Sequence, residues 1–185
     1  DIVRHFNAVG EPLQPNAQPG DLIFVDTNGD GEINSDDIAD IGSPWPDHIL
    51  GFTTSMSWKG FDFSSVLSAH IGHQIFRAYE RSDLTYTNYQ TFWLDRWTPD
   101  NTDGKYPRLV SNDVNNNQRP SDFYLEDGSF LRLRNIQLGY NIPTDLLAKV
   151  KVKELRIYFT ANNLLTLTNY EGFDPDIGTN GWILD

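Results

Sequence analysis

The sequence predicts an all-β fold, a segment of an antiparallel transmembrane β-barrel whose strands are joined on one side by long outer loops. Three observations carry this expectation. Residues 129–143 read S-F-L-R-L-R-N-I-Q-L-G-Y-N-I-P, with Phe130, Arg132 and Arg134 alternating with Leu131 and Leu133, and the apolar positions restarting at Ile136, Leu138 and Tyr140. A period of two with one phase slip reads as a long strand with a bulge or a change of environment near Asn135, and about 11 residues is the length a tilted membrane-crossing strand needs. Aromatics make up 13% of the 185 residues while aliphatic content is modest, which suits strands and loops better than a helical bundle. Residues 71–128 are mostly loop, too long for an ordinary compact sandwich and normal on the outer side of a barrel.

In chain order, residues 1–20 begin strand-like and pass into a loop where Pro12, Pro15 and Pro19 block regular structure. A short extended run, Asp21-Leu22-Ile23-Phe24-Val25, leads into D-T-N-G-D-G-E-I-N-S-D-D at 26–37. The prolines of Ser43-Pro44-Trp45-Pro46-Asp47 forbid a helix. From Leu50 the alternation returns, with Phe52, Thr54, Met56 and Trp58 on one face and Thr53, Ser55 and Ser57 on the other. Lys59-Gly60 reads as a two-residue hairpin turn, after which Phe61, Phe63, Ser65, Leu67 and Ala69 oppose Asp62, Ser64, Val66, Ser68 and His70. This pair alone fits a soluble sandwich as well as a barrel.

A helix is expected at 88–97, carrying Tyr89, Phe92, Trp93 and Trp97, and residues 112–120, with Asn115-Asn116-Asn117, are expected to have no means of packing a core. A turn or helical cap follows at 143–147. Leu155, Ile157, Phe159 and Ala161 then alternate with Arg156, Tyr158, Thr160 and Asn162 in a strand expected to end at Asn163. The last stretch holds Y-E-G-F-D-P-D and Gly-rich loop without a closing strand, and no fixed-period repeat speaks for a solenoid or propeller.

With 14 basic and 26 acidic residues the formal charge is −12, so neither a nucleic-acid partner nor adsorption to anionic lipid is expected. The chain has no cysteine, hence no disulfide framework or thiolate chemistry. No apolar run approaches the roughly 18 residues of a spanning helix, which leaves strands possible. The chain starts at Asp1 with no Met, charged leader or apolar signal core, as expected after processing or excision.

One stretch has metal-ligand spacing. Asp26, Asn28 and Asp30 stand at positions 1, 3 and 5 of a twelve-residue loop, with Gly31 at 6, Glu32 at 7, Asn34 at 9 and Asp37 at 12. Alternate oxygens then converge, Gly31 permits the sharp turn, and Glu32 offers its backbone carbonyl; hard oxygen donors without His or Cys suit calcium rather than zinc. Two features depart from an EF-hand, namely Asp37 where a bidentate Glu belongs and a strand-like entry in place of a helix. An Asx-rich turn held by its own backbone is the alternative.

Other constellations are weaker. His5, His48, His70 and His73 lack any zinc-type spacing, and no nucleophile elbow, P-loop or dinucleotide fingerprint occurs, so a hydrolase is not expected. Trp93 and Trp97, with Trp45 and Trp182, are candidates for stacking on sugar rings, against the alternatives of an aromatic belt or packed loop. Arg132, Arg134 and Arg156, on polar strand faces, are candidates to line a lumen.

Taken in order, G-D-L-I-F-V-D-T-N-G-D-G-E-I-N-S-D-D, I-G-S-P-W-P, W-K-G-F-D-F-S, D-R-W-T-P-D-N, Y-P-R, S-D-F-Y-L-E-D-G-S-F-L-R-L-R-N-I-Q-L-G-Y-N-I-P, L-R-I-Y-F-T-A-N-N-L-L-T-L-T-N-Y and G-F-D-P-D resemble the C-terminal part of SusC/RagA-type TonB-linked outer-membrane receptors. The resemblance covers nearly all of residues 20–176. It implies barrel wall and outer loops of a plugged transporter of about 22 strands, in the outer membrane of a Gram-negative cell and in contact with its lipid. Such receptors are non-enzymatic importers of oligosaccharides or peptides, driven by a TonB complex and lidded by a SusD-like lipoprotein. The plug, the TonB-contacting segment and the final strand are missing from the resemblance, and the calcium loop is expected on the outer side. A secreted calcium-dependent glycan-binding β-module is the alternative from another class.

Overall fold

The computed structural model describes residues 5–77 and 88–176. The chain divides into two compact units, Asp1–Ile41 with Ala78–Tyr124, and Gly42–Arg77 with Leu125–Asp185. No helix among the described residues is long and apolar enough to cross a membrane, which says nothing of strands.

The second unit is built from β1 (His48–Trp58), β2 (Phe61–Ile71), β3 (Gln74–Phe76), β4 (Leu125–Asp127), β5 (Phe130–Asn141), the single helical turn α1 (Thr144–Leu147) and β6 (Arg156–Thr168). Four long strands form one antiparallel sheet in the order β1-β2-β5-β6, and β3 pairs with β4 separately. Lys59 and Gly60 both take positive φ, 47° and 88°, as the expected two-residue hairpin turn requires.

The expected phase slip is a step across three strands. Val66 pairs with Asn135 and Leu67 with Leu133, so β5 carries Arg134 as one extra residue relative to β2. Over the same interval β6 moves from Asn162 to Leu165, one residue more again. Asn163 lies in this step at φ 49°, a left-handed conformation that Asn tolerates better than most residues. That corrects the expected end of the last strand: Asn163 is a bulge, and β6 runs on to Thr168.

The register puts most of the large apolar residues of all four strands on one face, with Phe130, Val66 and Ile49 on the other. Phe52, Leu67, Leu133 and Leu165 form one row across the sheet, and Met56, Phe63, Leu138 and Phe159 another. This face is uncovered: Phe52 is 64% exposed and Phe159 66%, and Leu50, Met56, Trp58, Leu138, Ile157, Leu165 and Leu167 are exposed as well. An apolar surface continuous across four strands is far larger than a water-soluble monomer leaves bare.

The described residues of the first unit form no sheet. Its extended segment 21–25 makes its contacts through side-chain amides rather than a neighbouring strand. Leu22 N donates to Asn117 Oδ1 (2.9 Å), Phe24 N to Gln14 Oε1 (2.7 Å), and Leu22 O accepts from Gln14 Nε2 and Asn115 Nδ2. The asparagine run therefore does pack a core, contrary to expectation: Asn115 and Asn117 are buried because each amide offers both a donor and an acceptor to that segment. Residues 88–97 are not a helix of that length; only a 3-10 turn forms, over Thr91–Asp95. It delivers Trp93 into a cluster with Tyr89, Phe92 and Tyr106, ring centroids 5.3–6.1 Å from Trp93.

Candidate functional site

The polar face of the sheet carries hydroxyls, amides and compensated charges. Asn135 Nδ2 donates to Asn162 Oδ1 at 2.8 Å, and Arg134 Nε to Ser68 Oγ at 2.8 Å. Near the hairpin turn, Arg156 reaches Asp62 across β5, with 2.5 Å between Nη2 and Oδ2. Gly139 makes this possible, since a Cβ there would collide with the Asp62 carboxylate.

At the other end of the sheet, residues 169–176 return to the polar face. Arg132 is 5% exposed and is held on three sides: by Asp174, by Asp176 at 3.2 Å and by Thr166 Oγ1 at 2.9 Å. Arg134 meets the same Asp176 at 2.9 Å. Pro175, buried between the two acids, places its carbonyl 3.4 Å from His73 Nε2. The hydrogen bond from Arg132 holds the Asp174 carboxyl below the usual carboxylate range. All three arginines expected on the polar face are there, and each has an acid partner. The acids themselves were missed, although Asp174 and Asp176 share the two-residue spacing of Arg132 and Arg134, which alternate strand positions present on one face.

The loop 26–37 folds as a set of Asx turns. Asp26 accepts from Gly29 N (2.6 Å) and Gly31 N (2.8 Å), Asn28 from Asp30 N, Asp30 from Glu32 N and Asn34 from Asp36 N. Gly31, at φ 89°, makes the turn its position requires. Asp37 closes a capping box with Asn34 and also accepts from Thr27 N at 2.8 Å; the Asn34 and Thr27 amides draw its carboxyl below its ordinary range. Each oxygen that accepts one N–H keeps lone-pair capacity for a cation. Among the described residues no three Asp, Glu, His or Cys side chains gather closely enough to hold a metal ion, and Glu32 enters the loop as a backbone element, its N–H on Asp30.

Of the stacking candidates, the structure overturns Trp93. Trp93 is 3% exposed at the centre of its aromatic cluster, so it has no face to offer a ligand. Trp97 lies over Gly20, where a side chain would collide with its ring, so one indole face is already covered. Trp45 is exposed, and Trp182 lies outside the described residues.

No family model matches the chain. Relatives and solved structures do. The chain is 34% identical over 173 residues to TonB-dependent receptor P3 of Formosa agariphila, covering 89% of this chain and 16% of the relative. It is 36% identical over 170 residues to receptor P26 of that organism, covering 88% and 17%. TonB-dependent receptor SusC of Bacteroides thetaiotaomicron is 29% identical over 164 residues. The fold agrees: the RagAB peptide importer in its closed-closed state superposes with a TM-score of 0.59 at 31% identity, over 84% of this chain and 18% of that one.

Over most of its length the chain is homologous to TonB-dependent receptors, with SusC and the RagAB importer among its relatives. A second RagAB structure, of the peptide transporter, gives a TM-score of 0.57 at 32% identity over 74% of this chain and 15% of that one. The chain spans about a sixth of the length of the curated receptors it matches, 16% and 17% of the first two. Within this family its antiparallel sheet is a β-barrel segment, as the alternation of its strands led one to expect.

Proposed function

We propose that the chain forms part of the wall and outer loops of an outer-membrane nutrient importer, toward the C-terminal end of its receptor, and performs no catalysis. The supporting observation is the register, which gathers the Phe52 and Met56 rows on one uncovered face and sets the ion pairs of Arg132, Arg134 and Arg156 on the other. Lipid is the solvent that suits the first face, and a pore suits the second. Closure into a barrel of about 22 strands would also pair the outer edges of β1 and β6. The RagAB relatives favour a peptide cargo and the SusC relative leaves oligosaccharide open; a SusD-like lipoprotein and a TonB complex, the latter met through other parts of the receptor, complete the assembly. A soluble glycan-binding module would need its apolar face covered.

Spin labels at Leu138 and Phe159 and at Gln137 and Thr160, in the full-length receptor in vesicles, test this. The first pair should be relaxed by oxygen dissolved in lipid and the second by a water-soluble nickel chelate; four labels that all report water would sink the proposal. Uptake of labelled peptides against oligosaccharides by cells producing the receptor separates the cargoes.

For residues 26–37 we propose calcium, on the oxygen spacing alone. Calcium should raise the melting temperature of the parent protein and leave Asp30→Ala unchanged. A parent indifferent to calcium leaves a self-held turn.

A further inference from the structure

We infer that residues 169–176 form a strap locked across the polar face of the sheet, and that Asp174 and Asp176 are the positioning residues that lock it. Five observations converge. The two acids at i and i+2 meet two arginines at i and i+2 on β5, so the clasp is matched in spacing as well as charge. Arg132 is buried beneath the strap, and taking its partners away would leave a guanidinium desolvated without compensation. Pro175, between the acids, is buried and reaches His73. Asp176 N donates to Asp174 Oδ1 at 2.9 Å, so the strap also holds its own turn. Tyr170 N donates to Thr168 Oγ1 at 3.1 Å, tying the near end of the strap to the end of β6.

The strap is thus a fixed part of that face, not a loop free to swing. Its Phe173 side chain is 91% exposed and so is displayed at a constant place beside the polar face. That this face looks into a pore rests on the barrel proposal; the lock does not.

Maleimide labelling of the purified full-length receptor in detergent tests the lock, with single cysteines introduced as Phe173→Cys or Pro175→Cys. Phe173→Cys should react at the rate of a free thiol and Pro175→Cys on the order of tenfold or more slower, because its thiol waits for local opening. Adding Asp174→Asn and Asp176→Asn should bring Pro175→Cys close to the rate at position 173, whereas the conservative Asp174→Glu should keep it slow. Heat-modifiable gel migration reports barrel folding in each variant, and Asp176→Asn alone serves where the double change does not fold. Equal rates at 173 and 175 in the parent, or a slow rate at 175 that survives loss of the acids in folded receptor, overturn the lock. The readout is taken in detergent, so its failure is separate from failure of the spin-label experiment.

Discussion

The two units solve the same problem, satisfying backbone polar groups, by opposite means. In the sheet the backbone pairs with itself along four strands, leaving the side chains free to divide into an apolar and a polar face. In the first unit side chains do the pairing: Gln14, Asn115 and Asn117 supply the donors and acceptors that a neighbouring strand would otherwise give residues 21–25. Burial follows the same division. The sheet leaves most of its large apolar residues uncovered, Phe130 excepted, whereas the loop unit buries Trp93 and Tyr124 while Ile38 and Leu94 stay exposed. Sequence changes should therefore be felt through different chemistry in each, by side-chain identity in the loops and by face in the sheet.

The largest expected effect is in the loops. Trp93→Ala removes the centre of the aromatic cluster, and a buried Trp truncated to Ala costs about 3–5 kcal/mol, read as early proteolytic cleavage within 88–124 of the full-length receptor. In the sheet the sign of the effect should depend on face alone. Leu138→Arg should lower the urea midpoint for refolding into vesicles by an amount equivalent to about 2–4 kcal/mol, while Gln137→Arg, one residue away, should change little. Equal effects at 137 and 138 would break the comparison, because the two faces would then see the same solvent.

Asn117→Ala sharpens it. The Asn117 side chain accepts from Leu22 N and donates to Asp21 Oδ1, both at 2.8–2.9 Å, so its loss strands buried partners at a cost of about 1–3 kcal/mol. Hydrogen exchange at Leu22 should rise with it, whereas Asn135→Ala on the exposed polar face should leave its neighbours' exchange unchanged.

What the sequence made legible follows the same boundary. Strand positions, the Lys59-Gly60 turn and the slip beside Asn135 could be read because alternation is written in consecutive residues and each face needs only one kind of side chain. Asn163 misled because a left-handed Asn ends strands and bulges them alike, and only the partner strand tells which. The Asn115–Asn117 network and the Asp174–Arg132 clasp were hidden for another reason: their partners lie 93 to 101 and 42 residues away in sequence, and polar residues in loops carry no period. Trp93 looked like a ligand platform because an aromatic ring in a loop reads the same whether it is exposed or packed.

Acid offers the gentlest separation of the charge-held loops from the sheet. Burial alone would raise Asp21, but hydrogen bonds from Arg108 and Asn117 outweigh it, and its carboxyl falls below the ordinary 3.8. Asp174 falls below the same value, chiefly through Arg132. A carboxyl depressed in the folded state contributes stability that is present above its unfolded pKa and lost as pH falls through its folded pKa. Both contributions should hold at pH 6 and fade below about pH 4. The ladder of β2 with β5 contains no titrating backbone group, so it should ride through. Hydrogen exchange on the intact receptor, corrected for the intrinsic rate at each pH, should then show residues 18–25 and 169–176 loosening together at pH 3 while β2 and β5 stay protected. Asp21→Asn should loosen the first segment at pH 6 without touching the second. If β2 and β5 opened along with them, the sheet would be leaning on side-chain charge as the loops do, and the contrast between sheet and loops would be lost.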